Sequence, residues 1–112
     1  MTSLAVSVDV GHSALASGAP ALVVKLQTAL YELNIWLEPG DLEPLSQARD
    51  AIWHEGSIRA GIAAASPVFW SCDDGLVFIA VGQDDETWDF GVSVPLSTFD
   101  ELMARVAELN PP

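Results

Sequence analysis

Residues 76–95, LVFIAVGQDDETWDFGVSVP, carry the clearest structural pattern in the chain. Residues 76–81 are apolar at every position, which predicts a β-strand that is covered on both faces. After the polar turn QDDE at 83–86, large apolar residues alternate with small or polar ones, as in a half-buried strand. The apolar members of this alternation are Trp88, Phe90, Val92 and Val94.

The flanking segments extend these two strands into a meander followed by a helix. On the N-terminal side, VFWSC begins a strand after Pro67, and DDG at 73–75 is typical of a hairpin turn. On the C-terminal side, STFD at 97–100 matches a capping box with Asp in place of the usual Glu. We predict an antiparallel β-meander over about 67–72, 76–82 and 87–94, and a helix over 98–109.

The N-terminal half predicts a strand and further helices. Residues 3–10 alternate as a strand does, and the segment GHSALASGAP that follows is typical of a loop. From Pro20 onward, leucines recur at helical spacing, which predicts a helix over 20–33. A Pro-Gly turn follows, and after it we predict a second, interrupted helix over 45–65.

Together these elements predict one α+β domain spanning residues 1–112, with an N-terminal strand, three or so packed helices and the meander. A chain of this length can bury a single core without disulfides. Because the strand at 76–82 is apolar on both faces, helices or a second copy of the chain must cover both sides. A homodimer would supply that cover.

Charge is the strongest global signal in the sequence. Sixteen Asp and Glu residues against four Lys and Arg give a net charge of −12 and an isoelectric point near 4.1. Such a field repels nucleic-acid backbones and anionic membranes, and it speeds encounter with basic proteins. A net charge of magnitude about 2 to 8 is enough to keep a small domain soluble. The excess therefore favours a basic protein partner, with no direct nucleic-acid or membrane binding.

The single Cys72 sits in an apolar run and predicts a buried thiol in a reducing compartment. No apolar run approaches the roughly 20 residues that span a bilayer, and no secretory signal is apparent. We expect a cytoplasmic protein.

Catalytic and metal-binding patterns are weak. The two histidines, His12 and His54, do not lie in a spacing that implies a catalytic dyad or triad. The acidic pairs could offer oxygen ligands, but the spacing of an EF-hand loop and a His/Cys cluster are both missing. We expect no cofactor, no metal and no enzymatic activity.

The acidic residues predict two recognition corners at opposite ends of the meander. Asp84, Asp85, Glu86 and Asp89 make the first corner, and Asp73 with Asp74 makes a second, distant one. For any single acidic residue, a hairpin end kept soluble by its charge is the simpler interpretation, whereas the total charge of the surface favours recognition. Trp88 is predicted to lie in the core; an exposed Trp88 ringed by carboxylates would instead resemble a hot spot for Arg or Lys.

In size, acidity, layout and absence of a catalytic motif, the chain resembles the small immunity proteins of bacterial toxin–immunity pairs. The resemblance rests on SCDDGLVFIAVGQDDETWDFGVSVPLSTFDELMARVAEL, residues 71–109. It implies a non-catalytic inhibitor that neutralises a basic toxin by covering its active site or substrate groove.

Two alternatives stay open. GLVFIAV, followed by a strand and a terminal amphipathic helix, is similar in order to the C-terminal halves of secretion chaperones, which are also small, acidic and usually dimeric. A nucleic-acid mimic that inhibits a defence or DNA-binding protein would place carboxylates in two rows at phosphate-like spacing.

Overall fold

Seven antiparallel strands in chain order make up most of the molecule, as the computed structural model shows for residues 6–52, 56–84 and 87–109. Each strand pairs with the next along the chain, so the sheet is one continuous meander. The strands are β1 (Ser7–Ala14), β2 (Pro20–Gln27), β3 (Glu32–Leu37), β4 (Ile58–Ala63), β5 (Ser66–Asp73), β6 (Leu76–Gly82) and β7 (Trp88–Pro95). The helices are α1 (Leu42–Ser46) and α2 (Leu96–Leu109), with single 3₁₀ turns at Pro39–Asp41 and Ala48–Asp50.

The core lies between α2 and one face of the sheet, which we call the inner face. The strands direct alternate side chains to this face, including Leu22, Val24 and Leu26 of β2. Trp70 of β5 is fully buried there; its ring contacts Phe99 of α2 edge to face at 5.9 Å. The Trp70 indole Nε1–H donates a 2.8 Å hydrogen bond to the Ala60 carbonyl oxygen, so its polar atom is satisfied inside the core.

The sheet curls until its two ends approach each other. Tyr31, in the turn between β2 and β3, contacts the ring of Phe90 in β7 edge to face at 5.9 Å. Val6, just before β1, lines one groove together with Val92 of β7, so the first and last strands lie close to each other. α2 packs across this curled sheet and contacts β1, β6 and β7. The opposite, outer face is left uncovered by α2.

The predicted fold, with three or so packed helices, is wrong. Within the described residues the chain has two helices, of which only α2 is longer than five residues, and the rest is mainly sheet. No described helix is long and apolar enough to cross a membrane.

The predicted helix over 20–33 is instead the hairpin of β2 and β3. Leucines at positions 22 and 26 fit a helical repeat, but they also fit two steps of a period-2 strand. The buried residues of the hairpin follow period 2: Leu22, Val24 and Leu26, then Leu33, Ile35 and Leu37. Pairing with β1 and β4 then settles the conformation, because the inner-face side chains meet a common core.

The predicted interrupted helix over 45–65 is also wrong. Among the described residues of this range, only the end of α1 and the turn at Ala48–Asp50 are helical, and Ile58–Ala63 is strand β4. Residues 53–55 lie outside the described residues. Gly61 explains part of this, because its φ of 88° is left-handed and lies at an irregularity in the β4–β5 register. A Cβ at Gly61 would lie 2.7 Å from Ile35 Cγ2, so β4 can approach β3 only with glycine at this position.

The C-terminal strands and helix lie close to where the sequence predicts them. Strands β5, β6 and β7 coincide with the predicted meander, and α2 coincides with the predicted helix to within two residues. Asp74 and Gly75 have φ values of 52° and 77°, the left-handed pair that a two-residue hairpin turn needs. The predicted capping box at 97–100 is wrong, because α2 begins at Leu96 and Ser97 therefore lies inside the helix. The carboxylate of Asp100 instead pairs with Arg49 at 3.1 Å.

The N-terminal strand is confirmed for its described residues and continues to Ala14, into the segment predicted to be a loop. The strand predicted to be covered on both faces is only partly covered. Val77, Ile79 and Val81 are buried on the inner face, whereas Leu76 on the outer face is 46% exposed.

Candidate docking groove on the outer face

A groove of about 450 Å³ crosses the outer face of β5, β6 and β7. Its lining combines aromatic, aliphatic, hydroxyl and carboxylate side chains: Ser71, Asp73, Leu76, Phe78, Trp88 and Ser93. We call it the Trp88 groove. It is open to solvent on the side of the sheet that α2 does not cover, so a partner can reach it without displacing the core.

Trp88 lies in this groove because the β6–β7 register shifts by one residue near Asp89. Phe90 pairs with Val81, but Trp88 pairs with Gly82, so one extra residue of β7 is accommodated between the two pairs. A one-residue shift moves a side chain to the opposite face of a sheet. Phe90, Val92 and Val94 therefore lie on the inner face, as their alternation predicts. Trp88 lies on the outer face and is 43% exposed.

The prediction that Trp88 belongs to the core is therefore wrong. Its ring contacts Phe78 edge to face at 5.4 Å, and this pair forms the apolar side of the groove. Glycine at position 91 makes the arrangement possible, because a Cβ there would lie 2.7 Å from Phe78 Cζ and 3.0 Å from Trp88 Cζ3. Both ring positions therefore depend on the missing side chain of Gly91.

Hydroxyl groups flank the aromatic pair. Phe78 lies opposite Ser71 of β5 and opposite Ser93 of β7, so the three residues form one row across the outer face. Ser71 is 2% exposed, yet its hydroxyl lines the groove and makes no hydrogen bond with any residue that the structure describes. No buried side-chain nitrogen or oxygen among the described residues lacks a partner, so the Ser71 hydroxyl opens to the solvent of the groove, where it can both donate and accept.

One predicted acidic corner lies at the end of this groove. Asp73 ends β5 opposite Leu76, and its side chain lines the groove two residues along from Ser71. Asp74 follows in the hairpin turn and is exposed. Asp73 thus belongs to the groove itself, whereas Asp74 adds charge beside it.

The other predicted corner lies at the far end of β6. Asp84 follows β6, and its Oδ1 accepts a 2.7 Å hydrogen bond from the Thr87 backbone N–H, so this carboxylate also shapes the loop. Asp89 is exposed at the register shift. Asp85 and Glu86 lie outside the described residues.

The two corners are separated by the length of β6, seven residues or about 23 Å at strand rise. They were predicted to be distant, and along the strand they are. The two ends of β6 nevertheless contribute to one groove, because Asp73 and Trp88 both line it. The sequence placed these two residues in separate clusters and missed Ser71, Leu76, Phe78 and Ser93 altogether.

The sequence does contain a signal for one of the missed residues, Ser71. Phe69, Ser71 and Asp73 alternate with the buried Val68 and Trp70, so period 2 places all three on the face opposite the core. That pattern does not reveal which strand lies beside them, and so it does not show the groove.

Positive charge is scarce near the groove. Three of the four basic residues pair with carboxylates: Lys25 with Glu32 at 3.8 Å, Arg49 with Asp100 at 3.1 Å, and Arg105 with Glu101 at 3.1 Å. The fourth, Arg59, lies on β4 opposite Phe69, one strand away from the groove wall. Among the described residues, Asp73 lines the groove and Asp74 follows it in the chain, so the charges nearest this end of the groove are negative.

The remaining candidate residues do not converge on a chemical site. Within the described ranges no group of three or more His, Cys, Asp or Glu is placed to hold a metal ion. His12 lies near the end of β1, beside a small groove that Leu22 and Leu109 also line, and His54 falls outside the described residues. Cys72 is half-buried against the core rather than fully buried.

No family model, curated protein or solved structure matches this chain.

Proposed function

We propose that this protein is a non-catalytic inhibitor that binds a basic protein partner through the Trp88 groove. One observation carries the proposal: a large aromatic side chain, 43% exposed, lies in a groove between two acidic hairpin ends of a chain with net charge −12. Exposed large apolar side chains that cluster with polar neighbours mark interaction surfaces. Tryptophan is also the residue most enriched among interface hot spots.

Binding would proceed in two physical steps. The acidic field first steers a basic surface toward this face, which raises the association rate in a salt-dependent way. Trp88, Leu76 and Phe78 then bury apolar area in the contact, which slows dissociation. In an immunity protein, the bound chain would cover the active site or substrate groove of a cognate toxin and exclude its substrate.

The test is affinity capture of the tagged chain from its native lysate at low and at high salt. Mass spectrometry identifies the partner, and light scattering of the purified complex gives its stoichiometry. We expect one folded, basic protein in a defined ratio and weaker capture at high salt. Several unfolded clients would contradict the proposal and favour a chaperone, and competition by DNA or RNA for the captured protein would favour a mimic.

Two variant sets then locate the surface on the captured partner. Trp88→Ala should raise the dissociation rate constant by about tenfold or more, as hot-spot truncations do. Leu30→Ala is the matched control, because Leu30 is 78% exposed but lies in the β2–β3 turn.

Asp73→Asn combined with Asp89→Asn should lower the association rate constant and flatten its salt dependence. Glu43→Gln combined with Glu108→Gln changes the net charge equally on α1 and α2. If the two double variants lowered the association rate constant equally, the net charge of the chain alone would steer the partner, and the groove carboxylates would have no specific role.

A further inference from the structure

The proposed function leaves open which chemical group of the partner enters the Trp88 groove. Three observations restrict the answer: an exposed aromatic wall, a carboxylate at one end, and a serine hydroxyl that opens into the groove. The aromatic wall favours a flat or cationic group, and the two oxygen-bearing side chains favour a group with several N–H donors.

The aromatic wall favours a flat or cationic group. Trp88 is the larger ring of the edge-to-face pair with Phe78, and it is exposed on the outer face. A cation within about 6 Å of an indole centroid is attracted by the ring quadrupole. A guanidinium group also stacks on such a ring through its own planar surface.

The carboxylate and the hydroxyl favour a group with several N–H donors in one plane. Asp73 and Ser71 are two residues apart on β5 and line the same side of the groove. Ser71 lies in the buried part and Asp73 at the exposed end. A guanidinium presents five N–H donors in a fixed fork, so it can donate to both oxygens at once, whereas an ammonium is a compact point charge.

We propose that the Trp88 groove binds an arginine side chain of the basic partner, with its guanidinium against the Trp88 ring and donating to Ser71 Oγ and the Asp73 carboxylate. The proposal rests on the proposed function for the identity of the partner but not for the chemistry of the groove. Charge complementarity selects this occupant over a second copy of the chain, because two copies would each bring a net charge of −12 to the contact.

The test uses small probes and so needs no partner. Nα-acetyl-arginine N-methylamide, its lysine equivalent and its neutral isostere from citrulline are titrated into the ¹⁵N-labelled chain. We expect the arginine probe to shift the Trp88 indole N–H signal and the Ser71 and Asp73 amide signals in a saturable way. The citrulline probe should leave these signals in place, and the lysine probe should bind at least twofold more weakly than arginine.

Variants separate the three contacts. Trp88→Ala should weaken the arginine probe about twofold to fivefold, and Ser71→Ala and Asp73→Asn about threefold each. Glu108→Gln, an equal change of charge on the exposed side of α2, should leave the dissociation constant unchanged. Dispersed amide signals with the wild-type pattern confirm that each variant folds, and Asp73→Asn keeps the proposal testable should Ser71→Ala unfold.

The outcomes distinguish this proposal from the proposed function. Equal shifts from arginine and citrulline, or shifts spread over remote carboxylates, would overturn the arginine site even when a basic partner is captured. Saturable arginine shifts confined to the groove support the site even when capture yields no partner.

Discussion

Tyr31 links the β2–β3 turn to β7 through its ring contact with Phe90, and its phenol is partly buried. Burial raises the pKa of Tyr31 above its ordinary value of 10.0, because the phenolate would lose solvation. The native state therefore keeps the proton at a pH where the unfolded chain has lost it. The neutral phenol contributes fully to stability below about pH 10, and that contribution is lost as the pH rises through the native pKa.

The chain has one tyrosine, so this linkage can be measured directly. We expect absorbance at 295 nm to show a titration midpoint above that of a model tyrosine. Urea midpoints measured from about pH 8 to 11 should fall less steeply for Tyr31→Phe than for the wild type. Tyr31→Phe keeps the ring contact, so identical slopes for the two proteins would show that the phenol is not held neutral by burial.

Trp88 shows how a register shift of one residue changes the face of the sheet on which a side chain lies. Its alternation with Phe90 and Val92 predicts a core residue, and this fails because the β6–β7 register shifts between them. The sequence hint is the pair of glycines, Gly82 and Gly91, whose missing side chains make room for the shifted tryptophan. Glycine alone does not predict the register shift, because glycine also occurs in strands that have no shift.

Among the elements, two hairpins share a turn geometry but differ in sequence. In the β5–β6 turn, left-handed φ values fall on Asp74 and Gly75, which tolerate them. In the β4–β5 turn they fall on Ala64 and Ala65, at 50° and 65°. A Cβ makes this region unfavourable by about 1 kcal/mol or more per residue, so the second turn lowers stability.

Replacing Ala64 with Asn and Ala65 with Gly should therefore stabilise the protein. We expect the double variant to raise the free energy of unfolding by about 1–2 kcal/mol, measured by urea denaturation. The control is Ala104→Gly at an exposed position of α2, which should lower it by about 1 kcal/mol because the helix disfavours glycine. A destabilised double variant would show that the two alanines make contacts worth more than their backbone strain.

Elements whose local signals agree were predictable. β5, β7 and α2 each show the right hydrophobic period over most of their length, and β6 is an apolar run between two turn signals. β2 and β3 were not, because leucines four apart satisfy a helix and a strand equally well. β4 was not predictable for a related reason: Ile58, Ala60 and Ile62 are too few and too small to define a period.

At the scale of the whole molecule, the net charge of −12 opposes compaction. Three salt bridges within the described residues join partners that are all more than 40% exposed, and such surface pairs contribute little. The remaining carboxylates repel one another, and added salt screens this repulsion over the Debye length, which falls from about 21 Å at 20 mM to about 4 Å at 500 mM.

Raising NaCl from 20 mM to 500 mM should consequently raise the thermal midpoint by about 3–5 °C, a change that corresponds to roughly 1 kcal/mol in a domain of this size. Differential scanning fluorimetry at pH 7 measures it. Glu43→Lys with Glu108→Lys reduces the net charge at two exposed sites away from the groove and should shrink the salt effect. A midpoint that does not depend on salt would mean that charge repulsion does not limit stability.

The last four elements and the two acidic hairpin ends follow from the sequence alone, because each depends on residues close together in the chain, and the negative field follows from composition. The conformation of residues 20–52 and 56–65 depends on tertiary pairing, because competing periods there are resolved only by neighbouring strands. Tertiary pairing also decides the Trp88 groove. Ser71, Asp73 and Trp88 come together only when three strands pair in a specific register, and a shift of one residue in that register determines which face the tryptophan occupies.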